Sequence, residues 1–235
     1  MSPKASPHER LAVVIPALDE AQRIGVAIEQ ARRIAAEVIV VDGGSLDATR
    51  DIAQRAGARV VVTAMGRANQ MNVGAAACVA DALVFLHADT RLPPQAASLI
   101  DDALDAGHAW GRFDVRLEPS TLSLRVVAGM MNLRSRATGI ATGDQAIFVT
   151  REAFVAVGGF PALELMEDIA MSTRLKRDFG APACLTGPVV ADARRWHRDG
   201  VFRTIATMWW LRLLFWFGVD HRRLRRRYYG DGHHG

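Results

Sequence analysis

VIVVDGGSLDAT, residues 38–49, is the stretch on which the fold turns. Val38 to Val41 are all β-branched and uninterrupted by polar alternation, the pattern of a strand buried on both faces of a parallel sheet. Asp42 stands where such a strand leaves the core, at the carboxyl edge where open α/β sheets bind ligands. Gly43 and Gly44 follow, permitting a turn and close approach of a ligand to the backbone. The spacing is not GxGxxG, and an acid occupies the place where a phosphate cradle needs donors. The loop is therefore suited to accept hydrogen bonds.

Outward from this strand the chain alternates. Strands are predicted at 11–16, 37–41, 58–62 and 82–87, separated by helices at 20–35, 46–56, 68–79 and 94–105. Strands joined by helices of this length form right-handed βαβ units, so the fold class is α/β: a Rossmann-like, doubly wound mixed sheet with helices on both faces. After Gly107 the pattern changes. AWGRFDVRLE (109–118) alternates like an exposed strand, 121–136 reads as a helix, and DQAIFVT (144–150) is a short strand. REAFVAVGGF (151–160) is a helix ending in glycines, and a further helix runs from about Glu167 to Phe179. No internal repeat or long linker separates the halves, so the second is expected to pack on the first.

The chain has 235 residues, 50% of them hydrophobic, enough for one large core. Its formal charge is +4, yet HRRLRRR (221–227) alone carries five arginines, so the body is near neutral. That clustering argues against a chain-wide nucleic-acid surface and for a basic tail near phosphate or anionic lipid. Cys78 and Cys184, the two cysteines, lie in apolar contexts and read as buried thiols of a reducing compartment. The first ten residues carry no signal-like apolar core, which makes a cytoplasmic location the expectation. VFRTIATMWWLRLLFWFGV (201–219) is interrupted by Arg203 and Arg212 and barely reaches the length of a span. It is expected to be an aromatic amphipathic helix on the core, on a partner such as a second copy, or at the inner membrane face.

Acids recur at strand ends. PALDE (16–20) brings Pro16, Asp19 and Glu20 to the edge that holds Asp42, Gly43 and Ser45. Two acceptor loops side by side suit the ring N–H groups of a base and the hydroxyls of a ribose. FLHADT (85–90) ends the next strand with His87 and Asp89, an i, i+2 pair that projects to one side. Mixed nitrogen and oxygen ligands suit Mn²⁺, while Mg²⁺ prefers oxygen alone. GRANQMNVGA (66–75) adds Arg67 as a cation for phosphate and Gln70 as a polar contact. Glu167 and Asp168 open a helix, where acids ordinarily complement the dipole; aimed at a site, one can take a proton from a hydroxyl. ARRWHRDG (193–200) crowds Arg194, Arg195, Trp196 and His197 into a predicted loop that can bind diphosphate or supply another metal ligand.

In this order VVIPALDE, VIVVDGGSLDAT, GRANQMNVGA, FLHADT, GDQAIF, GGFP, LMEDIAMSTRLKR and ARRWHRDG resemble the glycosyltransferase family 2 enzymes of the GT-A fold. The series is similar to a bacterial subgroup labelled arsenosugar-biosynthesis glycosyltransferases. The resemblance implies a transferase domain over 11–200, between a disordered segment 1–10 and the helix 201–219 with its basic tail 220–235. It implies a UDP- or GDP-sugar donor contacted by Asp19 and Asp42, a divalent cation at Asp89, and Asp168 as catalytic base beside Glu167. Asp144, Gln145, Arg195 and Trp196 fall on the acceptor side, His87 and His197 on the metal, and the reaction inverts the anomeric carbon. HAD replaces the family's DxD, so His87 stands where the first acid is usual. ARRW lacks the glutamine of the QxxRW motif of processive synthases, which points to single addition to a small-molecule or lipid-type acceptor.

Other classes fit less well. A sugar-phosphate nucleotidyltransferase lacks its glycine-rich phosphate loop near the first strand, and a dinucleotide oxidoreductase lacks the pyrophosphate fingerprint. A non-catalytic nucleotide-sugar binder recruited to a membrane or partner would use the aromatic helix and the tail. Nucleic-acid binding would rest on the tail alone, without aromatic platforms in the body.

Overall fold

The computed structural model describes residues 6–217 together with Val219, Asp220 and Arg223. Of the segment 1–10 expected to be disordered, residues 1–5 lie outside the described residues. Pro7–Arg10 form one helical turn, α1, closed by a capping box between Ser6 and Glu9. Most of the tail 220–235 likewise lies outside them.

The first half follows the expected alternation, with each boundary set by local contacts. β1 (Leu11–Ala17) leads to α2 (Ile24–Arg32), β2 (Glu37–Asp42) to α3 (Thr49–Arg55), and β3 (Arg59–Val62) to α4 (Arg67–Ala76). β4 (Ala82–Phe85) and the two-residue β5 (Thr90–Arg91) precede α5 (Ala96–Asp105). The helix expected from residue 20 begins only at Ile24. The amides of Asp19, Glu20 and Ala21 are held instead by Ser45 Oγ, Thr49 Oγ1 and Asp47 Oδ2 of the neighbouring loop, at 2.9, 2.8 and 3.0 Å.

The second half supplies β6 (Trp110–Glu118), α6 (Leu122–Thr138), a 3₁₀ turn at Gly143–Gln145 and β7 (Phe148–Thr150). α7 (Arg151–Ala156), α8 (Glu167–Phe179), β8 (Ala183–Asp192), α9 (Arg194–Asp199) and α10 (Val201–Trp216) complete it. The sheet order is β3-β2-β1-β4-β7-β6-β8-β5. β1, β2, β3 and β4 are mutually parallel where they pair, β7 runs antiparallel to both β4 and β6, and β8 runs parallel to β6. The two reversed strands, β7 and the edge strand β5, which pairs antiparallel with β8, make this doubly wound sheet mixed.

Side chains alternate between two cores. Val13, Ile15, Val38 and Val40 face α2, α5 and α6, while Val14, Ile39 and Val41 face α4, α7 and α8. At Gly74 the fit of α4 to the sheet is tight: a Cβ there would lie 2.3 Å from Val14 Cγ1. A larger residue would push the helix off β1.

Two expectations are corrected. AWGRFDVRLE is an interior strand, because ACLTGPVVAD (183–192), unassigned in the sequence, pairs along it as β8. Arg112 is consequently fully buried, bonded to Asp114, which also accepts from Arg136 Nη2 at 2.5 Å. Removing one member of such a buried pair strands the other charge, a cost of about 3–5 kcal/mol. ARRWHRDG is likewise not a loop: Arg194–Asp199 form α9, followed directly by α10. Cys78 is buried, Cys184 half-buried, and both are free thiols. α10 seats Leu211 against Leu165 and Met166, immediately before α8. No helix among the described residues is long and apolar enough to cross a membrane.

Candidate active site

Strand direction gathers the polar residues. β1, β2 and β4 are parallel, so residues 17–20, 42–45 and 87–89 emerge at one edge of the sheet. β6 and β8 end at the same edge with Glu118 and Asp192. β7 runs the other way, so the residues before it, Gly143 to Gln145, also arrive there. A cleft of about 200 Å³ at this edge is lined by Arg67, His87, Asp89, Asp144, Glu167 and Asp168, with Asp192, Trp196 and Arg212 on its far wall. An adjoining hollow of about 300 Å³ at the end of β1 is lined by Pro16, Glu20, Gly66 and Gln70 and shares Arg67 and Glu167 with the cleft.

The two acceptor loops lie side by side, but much of their hydrogen bonding is internal. Asp19, at φ +53°, accepts the amides of Leu46 and Asp47 on Oδ1 at 2.8 and 3.3 Å, which binds the first loop to the second. Asp42 is fully buried. Its Oδ1 accepts from the amides of Gly44 and Ser45, both at 3.0 Å, whereas Oδ2 has no hydrogen-bond partner. Gln70 is a brace: its Nε2 donates to the carbonyls of Ala17 and Val41, at 2.9 and 2.8 Å, closing the ends of β1 and β2 together. A Cβ at residue 43 would stand 3.1 Å from that nitrogen, so Gly43 makes room for Gln70, while Gly44, at φ +101°, borders open space. Glu20 pairs with Arg23 Nη1 at 2.6 Å.

His87 Nδ1 lies 3.7 Å from Asp144 Oδ1. A Cβ at residue 143 would come within 2.6 Å of the imidazole, so only glycine lets the 3₁₀ turn pass beside it. Burial, reinforced by Arg67, lowers the pKa of His87 and keeps the ring neutral, with a lone pair available. Burial raises the pKa of Asp144 against the pull of His87, and the charges of Asp89 and Asp168 add to the rise. Asp168 is fixed by the fold: its Oδ2 accepts the Gly143 amide at 2.7 Å, tying the start of α8 to the turn before β7. Met166, the residue before α8, is held at φ +68° and turns the chain so that Glu167 and Asp168 both reach the cleft.

Glu167 is 4% exposed, with Arg67 Nη1 3.7 Å from its Oε1. Burial foremost pushes its pKa to about 7, Arg67 opposing and Asp168 adding to the rise. A folded-state value above the unfolded one means that the stabilisation is complete below the ordinary glutamate range and is lost as pH rises toward 7. Glu167→Gln, always neutral, removes that loss. Thermal melts at pH 5 and pH 8 should therefore show the variant gaining on the unaltered protein at the higher pH; parallel profiles would refute a shifted Glu167.

Some expected residues are not brought to the cleft. Gln145 is fully buried, with Oε1 accepting from the Thr142 amide at 3.2 Å, and so closes the 3₁₀ turn instead of facing an acceptor. His197 is exposed on α9, with Nε2 3.4 Å from the Pro119 carbonyl, and does not line the cleft. The side chain of Arg195 lies outside the described residues. Trp196 does line the cleft. Asp192 and Arg212 join the wall without having been singled out as site residues. The acid at the end of β8 carried the same strand-end signal as Asp42 and Asp89, but the strand itself was not recognised.

The family model described as Glycosyl transferase family 2 matches residues 12–151. A curated relative named "Uncharacterized glycosyltransferase" from Rickettsia felis is 38% identical over 85 residues, and another from Rickettsia conorii is 35% identical over 85 residues. Each match covers 36% of this chain, and the chain spans 30% of the length of these relatives. Among solved structures, glucosyl-3-phosphoglycerate synthase from Mycobacterium tuberculosis in complex with Mn²⁺, UDP-glucose and phosphoglyceric acid superposes with a TM-score of 0.60 at 21% identity. That likeness covers 78% of this chain and 71% of the other. The same enzyme with Mg²⁺ and UDP gives a TM-score of 0.59 at 20% identity, covering 78% and 70%. At these identities the likeness establishes the fold, which is of the GT-A type.

Proposed function

Because this chain belongs to glycosyl transferase family 2, we propose that it transfers one sugar from a nucleoside-diphosphate sugar to an acceptor hydroxyl, with inversion at the anomeric carbon. The observation that carries the reading is the convergence of the Asp19 and Asp42 loops, the His87–Asp89 strand end and Asp168 on one edge of the sheet. Asp42 Oδ2 is a buried acceptor with no partner, an arrangement that costs stability unless a ligand donor satisfies it. A base N–H or ribose hydroxyl is such a donor.

The residues also suit a divalent cation. Asp89, Asp144, Asp168 and Asp192 line one cleft, and the charge of Asp89 adds to the burial that raises the pKa values of Glu20, Asp144 and Asp192. Among the described residues no three candidate ligands form an all-protein cage. A cation that takes one or two protein ligands and fills its other positions with diphosphate oxygens needs none. Asp89 and neutral His87 would hold it, and it would neutralise charge on the departing diphosphate. Asp168, oriented by the Gly143 amide, takes the acceptor proton as the hydroxyl attacks the anomeric carbon from the face opposite the diphosphate. The carbon–oxygen bond to the diphosphate breaks as the new glycosidic bond forms. Arg67 supplies positive charge toward the diphosphate from the start of α4.

Neighbouring structures hold UDP, which makes UDP the first nucleotide to test. Calorimetric titration with UDP and GDP, each with Mn²⁺, with Mg²⁺ and with chelator, should show cation-dependent binding of one nucleotide. Absence of binding under every condition would overturn the transferase reading in favour of a non-catalytic role.

A further inference from the structure

Beside the polar cleft lies an apolar groove of about 270 Å³ between α6 and α10, lined by Val127, Met130, Met131, Ile205, Met208 and Trp209. Groove and cleft are continuous: Trp196, Met208 and Arg212 line both. The groove is not apolar throughout. Arg134 of α6 and Arg212 of α10 also line it, bringing two guanidinium groups to the wall that adjoins the cleft. Arg134 is partly buried, and its Nη2 has no hydrogen-bond partner. Burial foremost, with Arg212 next, lowers its pKa to about 10, while Asp168 and Asp144 act on it from the cleft side. A partly buried guanidinium nitrogen with no hydrogen-bond partner is unfavourable until an acceptor reaches it, and an anionic acceptor makes the stronger contact.

We propose that this groove holds the acceptor, a single amphiphilic molecule whose apolar part lies between α6 and α10 and whose anionic group pairs with Arg134 at the junction with the cleft. The proposal rests on the transferase reading only in calling this molecule the acceptor. Continuity with the Asp168 wall brings the head of such a molecule to the proposed base, and the positive charge at the junction selects an anion over a neutral lipid. The arginine-rich segment 221–227 has the same sign of charge as the junction and is a poor occupant for that reason.

Decyl phosphate below its micelle concentration, decanol and inorganic phosphate are the probes, followed by calorimetry and by the fluorescence of the groove tryptophans. Decyl phosphate should bind at least about tenfold more tightly than either other probe, the advantage expected of a charge-assisted contact added to apolar burial. Arg134→Gln should abolish the advantage over decanol and Arg134→Lys should keep most of it, with UDP binding unchanged in both variants as the control for folding. Equal binding of decanol, tight binding of inorganic phosphate alone, or an Arg134→Gln variant that behaves as the unaltered protein would each overturn the proposal. So would failure of all three probes together with sedimentation as a dimer, which would make a second copy the occupant. UDP binding is read in the same samples, so loss of the acceptor proposal and loss of the transferase reading are separate results.

Discussion

Asp168→Asn is expected to lower turnover by about 10²–10⁴-fold, the range for loss of a positioned general base, while UDP binding stays as it is. The substitution keeps the shape of the side chain and an oxygen able to accept the Gly143 amide, so the link between α8 and the turn before β7 survives. What it removes is the capacity to take a proton. Glu167→Gln is the necessary comparison, because the two acids are adjacent and both line the cleft. Glu167 is the more buried, faces Arg67, and has a pKa pushed to about 7, so much of it carries a proton at neutral pH. The proposed assignment expects a modest effect from Glu167→Gln. Release of nucleoside diphosphate, with a donor sugar and an acceptor that the unaltered protein uses, would measure both. An active Asp168→Asn enzyme beside an inactive Glu167→Gln enzyme would transfer the base role to Glu167.

Asp89→Ala should weaken Mn²⁺-dependent UDP binding by about 30-fold or more, the consequence of deleting one charged partner from a desolvated contact. In the presence of chelator the two proteins should bind UDP alike, since the loops at Asp19 and Asp42 proposed to hold the nucleoside are untouched. His87→Ala separates two roles for the imidazole. As a ligand it would lower cation-dependent affinity; as a support for Asp144, 3.7 Å away, it would lower turnover with little change in affinity. Calorimetry with and without Mn²⁺ reads the difference. An Asp89→Ala protein that retains full Mn²⁺-dependent affinity would remove Asp89 from the proposed cation site.

Much of the fold was legible because burial leaves a local imprint. LAVVIP, EVIVV and ALVFLH read as short apolar strands, and all three are parallel central strands, the last ending at Phe85, two residues before its expected end. The helix 167–179 was read at its observed bounds, since an acidic first turn and a glycine after Phe179 mark its ends. The less legible parts share a cause. ACLTGPVVAD contains Gly187 and Pro188 in mid-run, which locally argue against a strand; pairing with β6 overrides them and buries Arg112 in turn. Trp196 and His197 were read as one polar loop, but on α9 only the tryptophan reaches the cleft.

The amino-acid sequence by itself determined that acids stand at the ends of buried strands and that these ends share an edge, because strand burial and βαβ handedness follow from local pattern. Tertiary structure alone decided what each acid does there. One oxygen of Asp19 is bound by the amides of the next loop, one oxygen of Asp42 is left buried without a partner, and Asp168 is held by an amide 25 residues away in the chain. The same holds for Arg134, which the sequence presents as an ordinary helical arginine and the fold places in the lining of an apolar groove between α6 and α10. Periodicity reports whether a position is inside. Which partner a side chain meets depends on segments distant in the chain, and that is settled only when they pack.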